Sequence, residues 1–372
     1  MNDDFYLGAL SVASVDGVKY FSSYVGNALL KEENGIVAIE ARFPNDSDDS
    51  IVLHNGEIVI GQEIMYIPAT SEFISFYNFN TNTFRQIAVG KCKGASFGFA
   101  TIYNDNVFIF PIYYGAIVKI DYDKFVKTEI KIDAGSYEKY IVQEDAMLGT
   151  SHVIIDSKVY VPFCNAHAIL EFDMKTETYN VYDVGSHGYG AACRIGNIIW
   201  LAPRVGRDII GWNYENKETI VIEELPEKYN GHSFLGGFSI GDDILFFPER
   251  ANMVLRLDTK KRTVCEEVTF SELCKNYFRY YTLRPCTFIS ARQIGNDSIF
   301  FCTGFLSQMG EYNLSTNNLL IEQYVAPNEL KSVYCNRIVP KFKEYLKNTN
   351  QIWKESQEKK LDDFLFAVKY RE

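Results

Sequence analysis

The chain has 372 residues, of which 47% are hydrophobic and 15% aromatic, so it can bury a large core and is not expected to be disordered. Its formal net charge of -11 repels phosphate groups, which argues against a general nucleic-acid or anionic-membrane binder. The acidic start does not resemble a signal peptide, and no apolar run reaches the roughly 20 residues of a membrane-spanning helix. Eight scattered cysteines fit reduced thiols, and we expect a cytoplasmic protein without a membrane partner.

A repeat of about 40 to 54 residues runs along the chain. Each unit has a β-rich stretch, a tight polar turn, and then an apolar strand that contains aromatic residues. Gly, Asn and Asp recur in these turns because short hairpin loops place residues at positive φ. In chain order, the first turn of each unit and the strand after it occupy residues 16–21, 61–68, 104–111, 156–162, 196–203, 241–248 and 295–301.

A second polar turn in each unit separates a third strand from a fourth. These turns lie at residues 33–35, 80–83, 122–124, 173–176, 213–216, 258–261 and 313–316. The second strand is apolar nearly throughout, as expected where both of its faces are buried between packed sheets. The period is the length of one four-stranded antiparallel blade.

The turn pattern resembles the β-propeller superfamily, in the loose manner of kelch and WD40 repeats. The units lack the Gly-His and Trp-Asp signatures, and the one Gly-Gly doublet is Gly236-Gly237. The resemblance implies an all-β fold, a seven-bladed β-propeller over residues 1–326, and carries over no activity. The approximate blades are 5–45, 46–90, 91–147, 148–186, 187–230, 231–283 and 284–326.

After Val325 the pattern changes. Pro327 and Asn328 open a segment in which apolar residues recur at near-helical spacing, interrupted by Pro340. We predict a helical tail over residues 327–372, made of one or two amphipathic helices that dock on the propeller. The alternative is a helix that binds a partner protein.

In a propeller, the blade-to-blade connections and the loops between second and third strands share the face around one mouth of the central channel. Arginine presents a planar fork suited to carboxylate, sulfate or phosphate, so we predict an anion-binding platform at this mouth. The alternative is that its arginines pair with Asp208 and Glu249. The candidate ligand-binding residues are Arg204, Arg207, Arg250, Arg284, Asn165, His167, Glu249, Tyr113 and Tyr114.

His152, His187 and His232 occupy similar connections in three consecutive units, so we expect them to converge at the mouth. They and Tyr189 are the candidate catalytic residues, and the three histidines are also candidate ligands of a divalent metal. The alternative is that each histidine is hydrogen-bonded to backbone in a crowded loop. No phosphate-binding glycine loop, nucleophile elbow or zinc motif points to another cofactor.

Two functions remain open from the sequence. The favoured hypothesis is a binding propeller whose mouth takes a protein, a peptide, or an acidic small molecule or saccharide. The alternative is a lyase or hydrolase that acts on an acidic saccharide or peptide through a histidine-based site. Two long connections, at residues 133–147 and 269–283, are candidate lids or binding loops.

Overall fold

The structure is a computed structural model that describes residues 7–340, except 49, 93, 144, 279–285, 296, 304–308 and 339. These residues form seven antiparallel sheets of four strands, each sheet built from consecutive strands. The predicted fold, a seven-bladed β-propeller, is therefore confirmed. None of the helices in this part of the chain is long and apolar enough to cross a membrane.

The strands follow one another four to a blade. Blades one to four contain β1 (Ala13–Val15), β2 (Val18–Ser22), β3 (Leu29–Glu33), β4 (Ile36–Ala41), β5 (His54–Ile60), β6 (Glu63–Pro68), β7 (Phe73–Asn78), β8 (Thr83–Ala88), β9 (Phe97–Tyr103), β10 (Asn106–Pro111), β11 (Ala116–Asp121), β12 (Val126–Lys131), β13 (Val153–Ile155), β14 (Lys158–Pro162), β15 (Ala168–Asp173) and β16 (Thr178–Asp183). Blades five to seven contain β17 (Tyr189–Ile195), β18 (Ile198–Pro203), β19 (Ile209–Asn213), β20 (Thr219–Ile222), β21 (Phe234–Ile240), β22 (Asp243–Pro248), β23 (Leu255–Asp258), β24 (Thr263–Glu266), β25 (Phe288–Ile294), β26 (Ser298–Thr303), β27 (Met309–Asn313) and β28 (Asn318–Glu322).

The hairpin turns explain why the units fold alike. The first turns of four blades have a glycine at φ 57° to 61°, namely Gly61, Gly196, Gly241 and Gly295. The other three blades have an Asp or Asn at φ 51° to 55°, namely Asp16, Asn104 and Asp156. Asn and Asp tolerate this left-handed backbone better than other side chains, so the turn chemistry sets the strand ends.

The core lies between neighbouring blades. In β18 and β22 every residue after the first is buried, which matches their apolar sequences. The ring closes between the last blade and the first: the Lys19 ammonium contacts Glu322 at 2.9 Å and the Tyr324 hydroxyl at 2.8 Å. The Leu7 N–H also donates to the Tyr324 carbonyl at 2.8 Å. Blades one and seven therefore join without exchanging a strand.

The first part of the tail packs on blade one. Helix α2 (Asn328–Val333) contacts the loop after β2, where Leu330 is fully buried beside Gly26. The π-helical turn Tyr334–Ile338 follows it. Arg42 forms an ion pair with Glu329. The helices predicted beyond residue 340 lie outside the described residues.

The two long connections cover the sides of blades. The first contains the short 3-10 turns Ala134–Ser136 and Glu138–Tyr140, and the Tyr137 ring packs against Phe163 with centroids 4.7 Å apart. The second contains the 3-10 turn Val268–Phe270 and helix α1 (Ser271–Phe278), and Phe270 is fully buried among aromatic rings of blades six and seven. Tyr137 and Phe270 thus act as packing.

Candidate functional site

Two cavities lie along the central channel, which is surrounded by the first strands of the blades. The upper cavity, of about 90 Å³, is lined by residues at the starts of these strands and by loop residues, including Asn55, Gly190, Arg204 and Glu249. The lower cavity, of about 350 Å³, is lined by residues farther along the strands. Its lining includes Ser11, Val12, Glu57, His152, Gly237, Phe238 and Ile294. Arg292 borders both cavities, so its side chain lies between them.

Arg204 at the upper cavity is already paired. Its Nε donates to Asp145 Oδ2 at 2.8 Å, and its Nη1 bonds to Glu249, which also accepts from the Ser233 hydroxyl at 2.8 Å. The Arg204 side chain is 12% exposed and that of Glu249 is 6% exposed. The sequence alternative in which Arg204 pairs with Glu249 therefore agrees with the structure. The pair belongs to a buried cluster that also contains the Asp145 carboxylate. The Arg204 guanidinium therefore already has two carboxylate partners.

The other predicted ligand residues have several surroundings. Arg207 donates to the backbone carbonyls of Tyr229 at 2.6 Å and Pro226 at 3.3 Å. Tyr113 lies near Asp145 and Arg204, and burial raises its pKa to about 12. The Arg250 N–H donates to the Ser233 carbonyl, next to the cluster, while Arg284 lies outside the described residues.

Three more candidates do not line either of the two channel cavities. The Tyr114 hydroxyl donates to Glu129 at 2.6 Å, and His167 Nδ1 lies 2.8 Å from Asp183 Oδ1. Glu129 and Asp183 belong to the outer strands β12 and β16. The Asn165 backbone carbonyl accepts from the N–H of Val142 at 2.9 Å and so joins the first long connection to blade four. The structure does not gather these three residues around one ligand position.

The three histidines do not meet. His152 lines the lower cavity and stacks on Phe99, with ring centroids 3.7 Å apart and planes 6° apart. His187 Nε2 lies 3.5 Å from Asp208 Oδ1, whereas His232 is exposed. In the described part of the chain, no contact joins one of these histidines to another. Within the same residues, no group of three or more His, Cys, Asp or Glu side chains is placed to hold a metal ion.

Tyr189 is buried inside blade five. Its hydroxyl lies directly beneath Gly185, where an added β-carbon would be 2.1 Å from the hydroxyl oxygen. Burial raises the pKa of Tyr189, and Asp208 adds to the effect. The hydroxyl therefore stays protonated, and it does not line either channel cavity.

Sequence reasoning missed two residues of the channel, Glu57 and Arg292. Glu57 and His152 each lie three residues before the last residue of their first strand. The other five blades have small or apolar residues at this position, namely Val12, Ala100, Ala192, Gly237 and Ala291. Arg292 is likewise a charged residue in an inner strand. A polar side chain at an inner position of the repeat was the signal that could have found Glu57 and Arg292.

Arg292 carries a partly buried positive charge without a carboxylate partner among the described residues. Its Nη2 donates to the backbone carbonyls of Asn55 and, at 3.2 Å, Gly98, which are both neutral. Burial lowers the pKa of Arg292, and the nearby Glu57 opposes this shift. A guanidinium remains charged even so, because its usual pKa is above 12.

Glu57 and His152 are neutral at pH 7 for the same physical reason. Burial raises the pKa of Glu57 to about 8, against the opposing charge of Arg292. Burial also lowers the pKa of His152 to about 4; the Thr150 carbonyl opposes this shift and Arg292 adds to it. Glu57 Oε1 has no hydrogen-bond partner among the described residues. At neutral pH the lower cavity therefore holds one net positive charge, that of Arg292.

The solved structures to which this chain is similar share its fold. No protein-family model matches the chain, and no curated protein matches its sequence. Among solved structures, the chain is similar to a catalytically inactive virginiamycin B lyase from Staphylococcus aureus with quinupristin, at 14% identity and a TM-score of 0.57 over 84% of this chain and 96% of that one. A streptogramin B lyase gives 14% identity and a TM-score of 0.55 over 86% and 94%. A chain of a mitotic checkpoint complex gives 11% identity and a TM-score of 0.55 over 88% and 89%. Similarity at these identities shows the fold alone, a β-propeller.

Proposed function

We propose that the protein is a binding propeller whose central channel holds the anionic group of a small ligand. Arg292 carries this proposal. Its guanidinium borders both cavities and makes hydrogen bonds to two neutral carbonyls, although it has five N–H donors. A buried charge is costly unless it is paired, and a ligand carboxylate or phosphate would provide that pairing.

This proposal moves the anion site from the mouth into the channel. Arg204 is held between Asp145 and Glu249, so its charge is already balanced. The cavities, of about 90 and 350 Å³, suit a small molecule or a single side chain better than a folded partner. An acidic small molecule is therefore the favoured ligand class.

Replacing Arg292 with methionine is expected to weaken carboxylate binding about 10- to 100-fold, because hydrogen bonds to a charged group contribute more than neutral ones. Isothermal titration with acetate, malonate, 3-phenylpropanoate and inorganic phosphate measures this change. Arg292→Lys, which keeps the charge, should bind with intermediate affinity.

The matched control is Arg194→Met. Arg194 is also a first-strand arginine, but it is exposed, and its Nε donates to the Gly196 carbonyl at 2.8 Å, outside both cavities. Circular dichroism checks that each variant is folded. A folded Arg292→Met protein that binds every probe like the wild type would contradict the proposal.

A second candidate function is an acid–base enzyme, a lyase or hydrolase that acts on an acidic substrate. The observation in its favour is that His152 and Glu57 line one cavity with Arg292. His152, with a pKa of about 4, is unprotonated at neutral pH, and Glu57, with a pKa of about 8, can donate a proton. This arrangement replaces the three-histidine site as the basis for an enzyme.

His152→Gln is expected to abolish turnover by this enzyme while leaving carboxylate affinity within about threefold, because Arg292 is unchanged. Mass spectrometry of products from a panel of acidic saccharides and short peptides measures turnover. His232→Gln is the control, since His232 is exposed. Failure of untagged wild-type protein to convert any panel member would favour the binding function.

A further inference from the structure

The lower cavity presents two groups of opposite polarity that do not neutralise each other. Arg292 and Glu57 both line it, and each affects the pKa of the other. The guanidinium passes the backbone next to Glu57: a β-carbon on Gly56 would lie 3.1 Å from Arg292 Nη1. The two side chains nevertheless form no direct ion pair. The Glu57 carboxyl has hydrogen bonds to the Ser11 side chain and the Ala13 backbone, while its buried Oε1 has no partner among the described residues.

A ligand that satisfies both groups needs an acceptor for the guanidinium and a donor for the carboxyl. A carboxylate binds a guanidinium through paired hydrogen bonds, and an ammonium offers three donors to a carboxylate. An α-amino acid carries these two groups on one carbon atom. The ammonium and the carboxylate of an α-amino acid are therefore close together, which suits two side chains that approach each other without forming an ion pair.

The remaining wall of the lower cavity has a polar part and an apolar part, and the polar part consists of Ser11, Thr150, Ser151, His152 and Gln293. Val12, Leu235, Phe238 and Ile294 belong to the apolar part, and Gly236 and Gly237 add no side-chain bulk. A volume of about 350 Å³ leaves room beyond the two charged groups for a side chain, and an aliphatic or aromatic one can pack on these four apolar residues.

We propose that the lower cavity binds an apolar α-amino acid, with its carboxylate on Arg292 and its ammonium on Glu57. The proposal rests on the proposed function, because it uses Arg292 as the anion site, and it adds the class of the ligand.

Binding of an ammonium group also predicts a proton release. The titratable and charged groups around Glu57 are Arg292, Tyr66 on the adjacent strand, and His152 across the cavity. Tyr66 and His152 are neutral at pH 7, because burial raises the pKa of the first and lowers that of the second to about 4. Glu57, with a pKa of about 8, is mostly protonated in the free protein and must lose its proton to pair with an ammonium.

The test uses probes that share one carbon skeleton: L-phenylalanine, 3-phenylpropanoate and 2-phenylethylamine, with the corresponding L-leucine series. Isothermal titration at pH 7 in buffers of different ionisation enthalpy gives both affinity and protons released. We expect at least one amino acid to bind about tenfold more tightly than both of its analogues, since each analogue lacks one charged hydrogen-bonding group. We also expect it to release close to one proton, which 3-phenylpropanoate, having no ammonium group, should not do.

Glu57→Gln should remove the tenfold preference and the proton release while 3-phenylpropanoate still binds. Glu63→Gln is the control, because Glu63 lies in the same blade but pairs with Arg85. Equal binding of an amino acid and its carboxylate analogue, unchanged in Glu57→Gln, would overturn the amino-acid proposal and leave Arg292 as the anion site. Binding of no carboxylate in either series, with the phosphate and acetate probes also silent, would overturn both proposals.

Discussion

Arg204→Met is expected to lower the free energy of unfolding by about 3–5 kcal/mol, the usual cost of removing one partner from a buried ion pair. The substitution would leave Asp145 and Glu249 without their shared cation. Glu249 is the more costly of the two to leave unpaired, because its side chain is 6% exposed and keeps only the Ser233 hydroxyl as a donor among the bonds described above. Urea or guanidinium unfolding monitored by tryptophan fluorescence measures the change.

Two further variants test whether the loss of stability in Arg204→Met comes from the unpaired carboxylates rather than from removal of any arginine. Arg207→Met removes an exposed arginine bonded to backbone carbonyls and should cost less than about 1 kcal/mol. Combining Arg204→Met with Glu249→Gln should recover part of the loss, because a neutral amide costs less to bury than a carboxylate. A loss below about 1 kcal/mol for Arg204→Met would show that the cluster contributes little to stability.

The stability of Glu57→Gln relative to the wild type should rise by about 2–4 kcal/mol between pH 4.5 and pH 9, since each unit of pKa shift corresponds to about 1.4 kcal/mol. Glu57 has a pKa of about 8 in the folded protein and an ordinary value of 4.5 when exposed. The folded state therefore holds this proton more tightly, and its stabilising effect is lost as the pH rises from 4.5 through 8. The expected size is below the full shift because Glu57 is partly open to the cavity.

Other groups in this range act in both proteins and cancel in the comparison. Burial lowers the pKa of His54 to about 3 and that of His152 to about 4. These two histidines have the opposite effect, because the folded protein loses stability as the pH falls below 6.5. Unfolding curves of wild type, Glu57→Gln and the control Glu63→Gln at each pH measure the difference. A constant difference from pH 4.5 to pH 9 would mean that Glu57 titrates normally, and the proton release expected on amino-acid binding would then not occur.

The predictions for Arg292 and Glu57 both depend on the positive charge that the fold places inside the channel. Arg292 is fixed by hydrogen bonds to two inner strands, so it is positioned before any ligand arrives. Such a preorganised group can bind a carboxylate without first reordering its own side chain. The channel, rather than the loops around its mouth, therefore carries the proposed chemistry.

The architecture could be predicted because its signals are local. Asp16 and Gly61 mark turns whose backbone conformation excludes most other residues, and strands such as β22 show their double burial directly in their composition. These properties depend on neighbours within a few positions, so the number and order of the strands follow from the repeat.

The site could not be predicted in the same way, because its members meet only when the ring closes. Arg292 bonds to Asn55, 237 positions away, and Arg204 bonds to Asp145, 59 positions away. His152, His187 and His232 occupy similar connections, yet the first enters the channel, the second contacts Asp208 and the third is exposed. Successive side chains of a strand point to opposite faces of its sheet, so a shift of one residue decides whether a charged group meets a given partner. The pairing of these charges was therefore decided by the tertiary structure.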